Sequence, residues 1–535
     1  MKTTNYKILK TLTLSIFMGF GVLSTQAQIY VNASASGANN GTSWSNAYTN
    51  LQPALDAAPA GAEIRVAAGT YKPTEAPDGS TDDRNRAFHF NKNLVLKGSY
   101  NPATNTQDFA NQSILSGDFN DDDVITGSGS SLSITGNSEN AYHVLITEGL
   151  TSATQIEGFL ITGGHADDSD SGTISYSGKS IYKNSGGGMH NSSSSPSIVN
   201  TVFSGNSATN GGGMFNSASS PSMVNTVFSG NSAANGGGIR NNYFSSPSIV
   251  NTVFSGNSAT KGGGMYNASS PSMVNTVFSG NYSTNFGGGM YNISSSPSIV
   301  NTVFSGNSAP TGGGIRNSSS STSTISNSVF YGNGSDIANS SSSGATGEHN
   351  FSENYSGTGF TALGADPFHD SSNPKGSDGE WFTDDDGLQP SSTSPLIDAG
   401  NTTKLPLDTA DLDGDGDTSE AIPFDIIGRT RVLDTSVDVG AYEFDSTVTL
   451  SVKDIDSGSL DIYSTGHKTL VISGMLNAKT TANVYSLLGK LVASKSFEKF
   501  SASNSVDVST LRTGIYIVKI HNANHQVKTK KLFIQ

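Results

Sequence analysis

Cysteine is absent from all 535 residues, which excludes disulfides, thiolate metal sites and a cysteine nucleophile. Charge is scarce, at 14% of residues, and unevenly spread. From Lys183 to Ser335 there is no Asp or Glu, so carboxylate catalysis is excluded along that stretch. No basic stripe exists of the kind nucleic acid requires, so no nucleic-acid partner is expected. Past the first residues no apolar run nears the roughly 18 residues of a membrane span, and the mature chain is expected to have no transmembrane segment. The motifs G-x-S-x-G, H-E-x-x-H and the P-loop are also missing.

What is present begins with an export signal. Lys2, Lys7 and Lys10 form a positive n-region, Leu12 to Leu23 an apolar h-region, and Thr25-Gln26-Ala27 a cleavage site before Gln28. Residues 1–27 therefore read as a signal peptide, and the mature protein as secreted or attached at the outer surface. The formal charge of −15 is concentrated late in the chain. Residues 361–445 hold 19 acidic and 4 basic side chains, while 446–535 reverse the sign with 11 basic against 5 acidic.

The dominant pattern is a repeat of about 25 residues from Asn184 to Asn333. Triple glycines start at 186, 211, 236, 262, 287 and 312, and each GGGM or GGGI clause is answered by S-P-S-I-V-N-T-V-F-S-G-N or a close copy. Such a period signals a solenoid whose copies contact only their neighbours. Val, Ile, Thr and Phe suit short strands, each proline sits at a strand start, and the glycines suit positive-φ bends or crowded inner positions. Stacked at about 4.8 Å per coil, like residues should form ladders. Ile198, Met223, Ile249, Met273 and Ile299 make one, Phe203, Phe228, Phe254, Phe278 and Phe304 a second, and Asn200, Asn206 and their equivalents hydrogen-bonded amide ladders. Alternation leaves open whether Val202 or Phe203 points inward. Arg240 and Arg316 hold equivalent places three coils apart and read as surface variation.

Residues 28–110 are expected to cap the rod and supply its first coils, with a strand at Ile29 to Val31, a helix around Leu51 to Ala58 and a strand at Glu63 to Ala67. Trp44 and Tyr48 read as cap filler or as a sugar-stacking pair. Residues 111–183 read as irregular coils with loops at 118–137 and 165–183, residues 184–335 as the six regular coils, and 336–445 as last coils and an acidic C-terminal cap. The order Y-V-N-A-S-A-S-G-A-N-N-G-T-S-W, A-L-D-A-A, I-R-V-A-A-G-T-Y and G-F-L-I-T-G-G, with S-P-L-I-D-A-G-N and V-D-V-G-A-Y-E-F later, resembles bacterial right-handed parallel β-helix repeat proteins of pectate-lyase-like architecture. The GGGM/FSGN alternation is similar to the repeats of polymorphic outer-membrane adhesins. The resemblance implies an all-β fold, a right-handed parallel β-helix of about 25 residues per coil over residues 28–445.

Residues 446–535 change composition and alternate as an antiparallel β-sandwich would. Leu488-Gly489-Lys490, Gly514-Ile-Tyr516 and Lys530-Lys531-Leu532 resemble the type A C-terminal sorting domain of the type IX secretion system. The resemblance makes Gly489, Lys490, Gly514, Tyr516, Lys530 and Lys531 the sorting signal and the secretion machinery a partner. The Pro-Asn-Pro usual near the start of such domains is missing, which leaves the N-terminal boundary open.

Two functions compete. One is a non-enzymatic adhesin-like spacer that contacts glycans or matrix. The other is a polysaccharide lyase or glycoside hydrolase whose site would lie before Lys183, with Asp121, Asp122, His165, Asp167 and Asp168 as catalytic candidates among Asp118, Asp123 and Asp170. Convergence of Asp121 to Asp123 with His165, Asp167 and a basic residue would favour the enzyme. Asp411, Asp413, Asp415 and Asp417 alternate around glycine as at the start of a calcium loop, with Glu420 or Asp425 as the late ligand in place of Ile422; the run reads either as a calcium site or as a solvated acidic turn.

Overall fold

A computed structural model describes residues 27–445 except 171 and 243, and in the tail 461–465, 469–473, 480–486, 490–497, 505–509, 511, 514–522 and 527–534. The signal segment 1–26, Gly489 and the 446–460 boundary lie outside the described residues. The chain divides into two compact units between Phe444 and Asp445.

The first unit is a parallel β-helix. Every regular coil contributes to three sheets and the first four also to a fourth, as the coil from Met189 shows: sheet I takes Met189–Ser192, sheet II Ser197–Val199, sheet III Val202–Ser204 and sheet IV Ser207–Asn210. Sheet I has nine strands, from Phe88–Phe90 to Ile337–Asn339, and sheet III eleven, from Gly69–Tyr71 to Phe360–Ala362. Sheet II begins with Gln28–Val31 and ends with Gly344–Glu348, and the short sheet IV has five strands. The helix Leu51–Ala57 buries Leu51 and Leu55 against Val31, Ile64, Phe88 and Leu94, which closes the first coil.

Register is set by identity. Phe203, Phe228, Phe254, Phe278, Phe304 and Phe330 point inward and stack with centroids 4.6–5.0 Å apart and planes within 6°. The adjacent valines point outward. S-I-V-N-T-V-F is two strands, because Asn200 and its equivalents adopt left-handed φ of 46–51° and bend sheet II into sheet III. Asparagine tolerates that conformation better than most residues.

The three glycines of each clause do different work. Gly211 has φ of 65°, in the left-handed region. A Cβ on Gly212 would lie 2.5 Å from the Ser232 carbonyl and 2.6 Å from that of Gly237, so the stacked coils leave no room for it. A Cβ on Gly213 would lie 2.9 Å from Phe228.

Besides the antiparallel hairpin of Thr173–Tyr176 and Lys179–Tyr182, which packs on Ala87 and Ile146, two segments run outside the rod. The loop after Asp118 is a hairpin of Val124–Thr126 and Ser133–Thr135. Its Ile125 lies over Gly205, while Gly129 donates its N–H to the Gly256 carbonyl at 2.8 Å. The acidic segment from Leu363 to Phe444, expected as a cap, turns back along the flank of sheet III. Val253, Val277, Val303 and Val329 are buried beneath Phe368, Trp381, Leu388, Leu396, Ile426 and Tyr442. Asn327 exchanges hydrogen bonds with Asn401 (2.8 and 3.1 Å), and the Asn275 amide donates to the Phe424 carbonyl at 2.8 Å. The core of this flank is polar as well as apolar: buried Arg431 lies 3.3 Å from Glu443 and donates to the Asp438 and Gly440 carbonyls.

Among the described residues, the tail forms a three-stranded and a four-stranded antiparallel sheet. Leu470 and Val506 of one meet Ala482, Val484, Val518 and Ile520 of the other in one core, a small β-sandwich.

Candidate functional site

The early acidic candidates gather into two adjoining groups. In the first, oxygens of Asp118, Asp122 and Glu139 lie within 4.8 Å of one another. The Asp118 carboxylate accepts the backbone N–H groups of Asn120, Asp121, Asp122 and Asp123, which holds the turn. Burial, together with Asp118, Glu139 and Asp122, pushes the Asp123 carboxyl up to about 6. Asp121 turns away to Lys72, at 2.7 Å.

In the second group, Asp167 pairs with Arg84 at 2.6 Å and with His165 Nε2 at 3.2 Å. His165 Nδ1 meets Ser207 Oγ at 2.5 Å, and burial lowers its pKa. Asp168 accepts the N–H of Asp170. Arg84 bridges the groups, since its Nε donates to the Asn140 carbonyl and the Asn140 amide donates to Asp123. Asp118, Asp122 and Glu139 thus converge, while Asp121 and Asp167 are drawn into ion pairs with Lys72 and Arg84. Glu139, which joins this cluster, carried no signal in the sequence.

A cleft of about 650 Å³ lies between the outer face of sheet III and the returning flank. Phe109, Trp381, Phe382 and Phe424 supply aromatic surface, and Asn200, Asn225 and Asn251 line it from successive coils. Asn225 Nδ2 donates to Asn200 Oδ1 at 3.2 Å, and Asn251 Oδ1 accepts from Asn275 of the next coil at 3.0 Å. Lys375 and Glu380 are the charged residues of the lining. None of this cleft was legible beforehand, because its two walls come from distant, unrelated stretches.

On the outer face of sheet I, register aligns His190, Phe215, Arg240, Tyr266, Tyr291 and Arg316 in one row. The Arg240 guanidinium lies 5.1 Å from the Tyr266 ring centre and 5.8 Å from that of Phe215, and Arg316 lies 5.8 Å from Phe286. The two arginines are therefore members of an aromatic–cation row rather than isolated variations.

The acidic run singled out in the sequence is brought together only in part. Asp411, Asp413 and Asp415 bring oxygens within 4.8 Å of one another, and Asp413 does so also with Asp408 and Glu420. Asp417 stands outside both groups and accepts from the N–H and Oγ of Ser419. Asp425 is occupied elsewhere, by the N–H groups of Ile427, Arg429 and Glu443. Burial and then the charges of Asp413, Asp415, Asp417 and Asp408 raise the pKa of Glu420.

In the tail, the Ser486 N–H donates to the Lys490 carbonyl at 2.9 Å across a hairpin. Gly514 opens the strand Gly514–Asn522, Tyr516 pairs with Ser486 and Leu532, and Lys530 and Lys531 lie opposite Val518 and Ile517. Residues 464–535 match the family described as a secretion system C-terminal sorting domain. The chain carries a secretion sorting tail. That tail addresses it to the type IX machinery and makes it an exported protein, secreted or held at the cell surface. No helix of the described residues is long and apolar enough to cross a membrane. A search of curated proteins returns no match. Among solved structures, a rhamnogalacturonan lyase is similar at 11% identity over 68% of this chain and 97% of its own, with a TM-score of 0.31, a likeness that leaves activity open.

Proposed function

We propose that this exported rod is a non-catalytic binder of extended glycans, held along the cleft beneath its returning flank. The cleft's lining supports the reading. Aromatic faces beside a row of amides suit sugar rings and their hydroxyls, and the volume falls in the range of small-ligand clefts. Its amides come from three successive coils, about 10 Å of rod, the length of two sugar units or so. Glu380 is the one carboxylate of the lining, whereas glycoside hydrolysis needs two. Glycan-array screening followed by calorimetry tests this. Phe109→Ala, at a residue 48% exposed and so dispensable for folding, is expected to weaken binding at least tenfold. Unchanged affinity would overturn the assignment.

A second reading, polysaccharide cleavage, draws on the convergence of Asp118, Asp122 and Glu139. Turnover of any polysaccharide that is lost in Glu139→Gln would establish it and displace the first.

A further inference from the structure

Five carboxylates of the flank, Asp408, Asp411, Asp413, Asp415 and Glu420, crowd around one loop. None forms an ion pair among the described residues. Crowding alone would describe a solvated turn. The buried acceptors decide otherwise. Asp408 is 0% exposed; one of its carboxylate oxygens accepts the Leu412 N–H at 2.7 Å, while Oδ1 is buried and accepts nothing. Oε1 of Glu420 is likewise buried with no donor. A buried carboxylate oxygen without a donor is costly, and here two belong to the same cluster.

We propose that Asp408, Asp413 and Glu420 bind a calcium ion, with Asp411 and Asp415 completing or flanking its shell. The donors are all oxygens, which selects a hard cation, and an exposed loop of irregular geometry suits calcium's flexible coordination better than the strict octahedron of magnesium. The site differs from a simple run of alternate aspartates, because its deepest ligand precedes the run and its last follows it. Those two ends are already joined. Asp408 donates its N–H to the Glu420 carbonyl at 2.9 Å, and Leu407 bridges to Ala421. The ion would lock the closed loop from within.

The loop's apolar member shows what the lock does. Leu412 packs with Ile422 against Val224, Val250 and Val274 on the outer face of sheet II. Calcium bound between Asp408 and Glu420 fixes the backbone that carries Leu412, and so fastens the flank to the rod. The inference is independent of what the cleft binds.

Calorimetric titration of calcium chloride into the EDTA-treated, dialysed full chain tests it, with thermal unfolding recorded in parallel. Asp408→Asn keeps the side-chain shape, and Asp413→Asn changes an exposed residue that folding does not need. Both are expected to remove one equivalent of calcium or weaken it at least tenfold, and to abolish the corresponding rise in Tm. Asp417→Asn should bind as the parent does. Equal calcium binding by the parent and Asp413→Asn overturns the proposal, as does a parent chain whose Tm and titration heat ignore calcium. Loss of binding in Asp417→Asn equal to that in Asp408→Asn would also defeat this ligand set.

Discussion

Each inner asparagine of the F-S-G-N clause is fully engaged. The Asn257 amide donates to the Phe228 carbonyl at 2.8 Å and to Asn281 Oδ1 at 2.9 Å, while its own oxygen accepts both the backbone and side-chain N–H of Asn231 at 3.0 Å. Removing one rung takes the acceptor from the backbone and side-chain N–H of Asn231 and a donor from the Phe228 carbonyl, all on the coil before, while Asn281 Oδ1 on the coil after keeps the Asn257 backbone N–H. Asn257→Ala is therefore expected to cost about 2–4 kcal/mol in urea unfolding, at 1–3 kcal/mol per orphaned buried group. Asn257→Asp should cost more at pH 7 than at pH 4, since a carboxylate can donate only when protonated. Phe254→Ala, with stacked neighbours on both sides, is expected to cost about 3–5 kcal/mol. Glycine substitutions should split by place in the same assay. Gly212→Ala drives a methyl into two carbonyls and is expected to destabilise strongly, whereas Gly344→Ala meets nothing within 4 Å and should be tolerated.

Among the elements, sheet I and the flank respond to acid in opposite senses. His143 and His190 are fully buried, 5.4 Å apart, and each places Nδ1 against a carbonyl oxygen. Burial holds their pKa values down to about 3 and about 4. They are neutral in the fold, so the stability they permit is complete above about pH 6.5 and is lost as pH falls toward 4. In the flank, burial pushes Asp386 up to about 7 and Glu443 up to about 8, the latter with help from Asp438 and against the pull of Arg431. These acids penalise the fold at high pH and cease to do so as they take up protons. Between pH 7.5 and 5, hydrogen exchange corrected for intrinsic rate should quicken around 143–190 and slow around 425–443. A change of one sign in both places would refute the assignment.

These elements differ in how far the sequence disclosed them. Near-identical residues at a fixed period must stack, so the Phe ladder, the two asparagine ladders and the coil length were readable. A third ladder, Asn191 to Asn216 to Asn241 and onward at 2.8–2.9 Å, follows the same logic and was within reach. The flank's path was not. Outward valines recur in every coil whether water or protein covers them, and nothing periodic marks Trp381, Phe382 or Tyr442 as their partners. The hairpin over Gly205 and Gly256 was hidden for the same reason, since a long-range strap leaves no local pattern.

On the scale of the whole molecule, the tail and the rod are separate units with separate tasks. Deleting residues 464–535 should leave calcium and glycan binding intact while the protein fails to reach the cell exterior, as fractionation of the producing cell would show. Val277→Asp, beneath the flank, is expected to loosen residues 363–444 to limited proteolysis while the stacked phenylalanines stay ordered. The two external straps carry one more consequence. Near-identical coils invite gain or loss of a copy by recombination, and an unstrapped rod would accept either. Here the hairpin grips from Gly205 to Gly280 and the flank grips from Asn327 back to Val224. An added coil inside that span would slide each strap by about 4.8 Å against its footholds. The straps act as a gauge, so copy number is free to drift only where they do not reach.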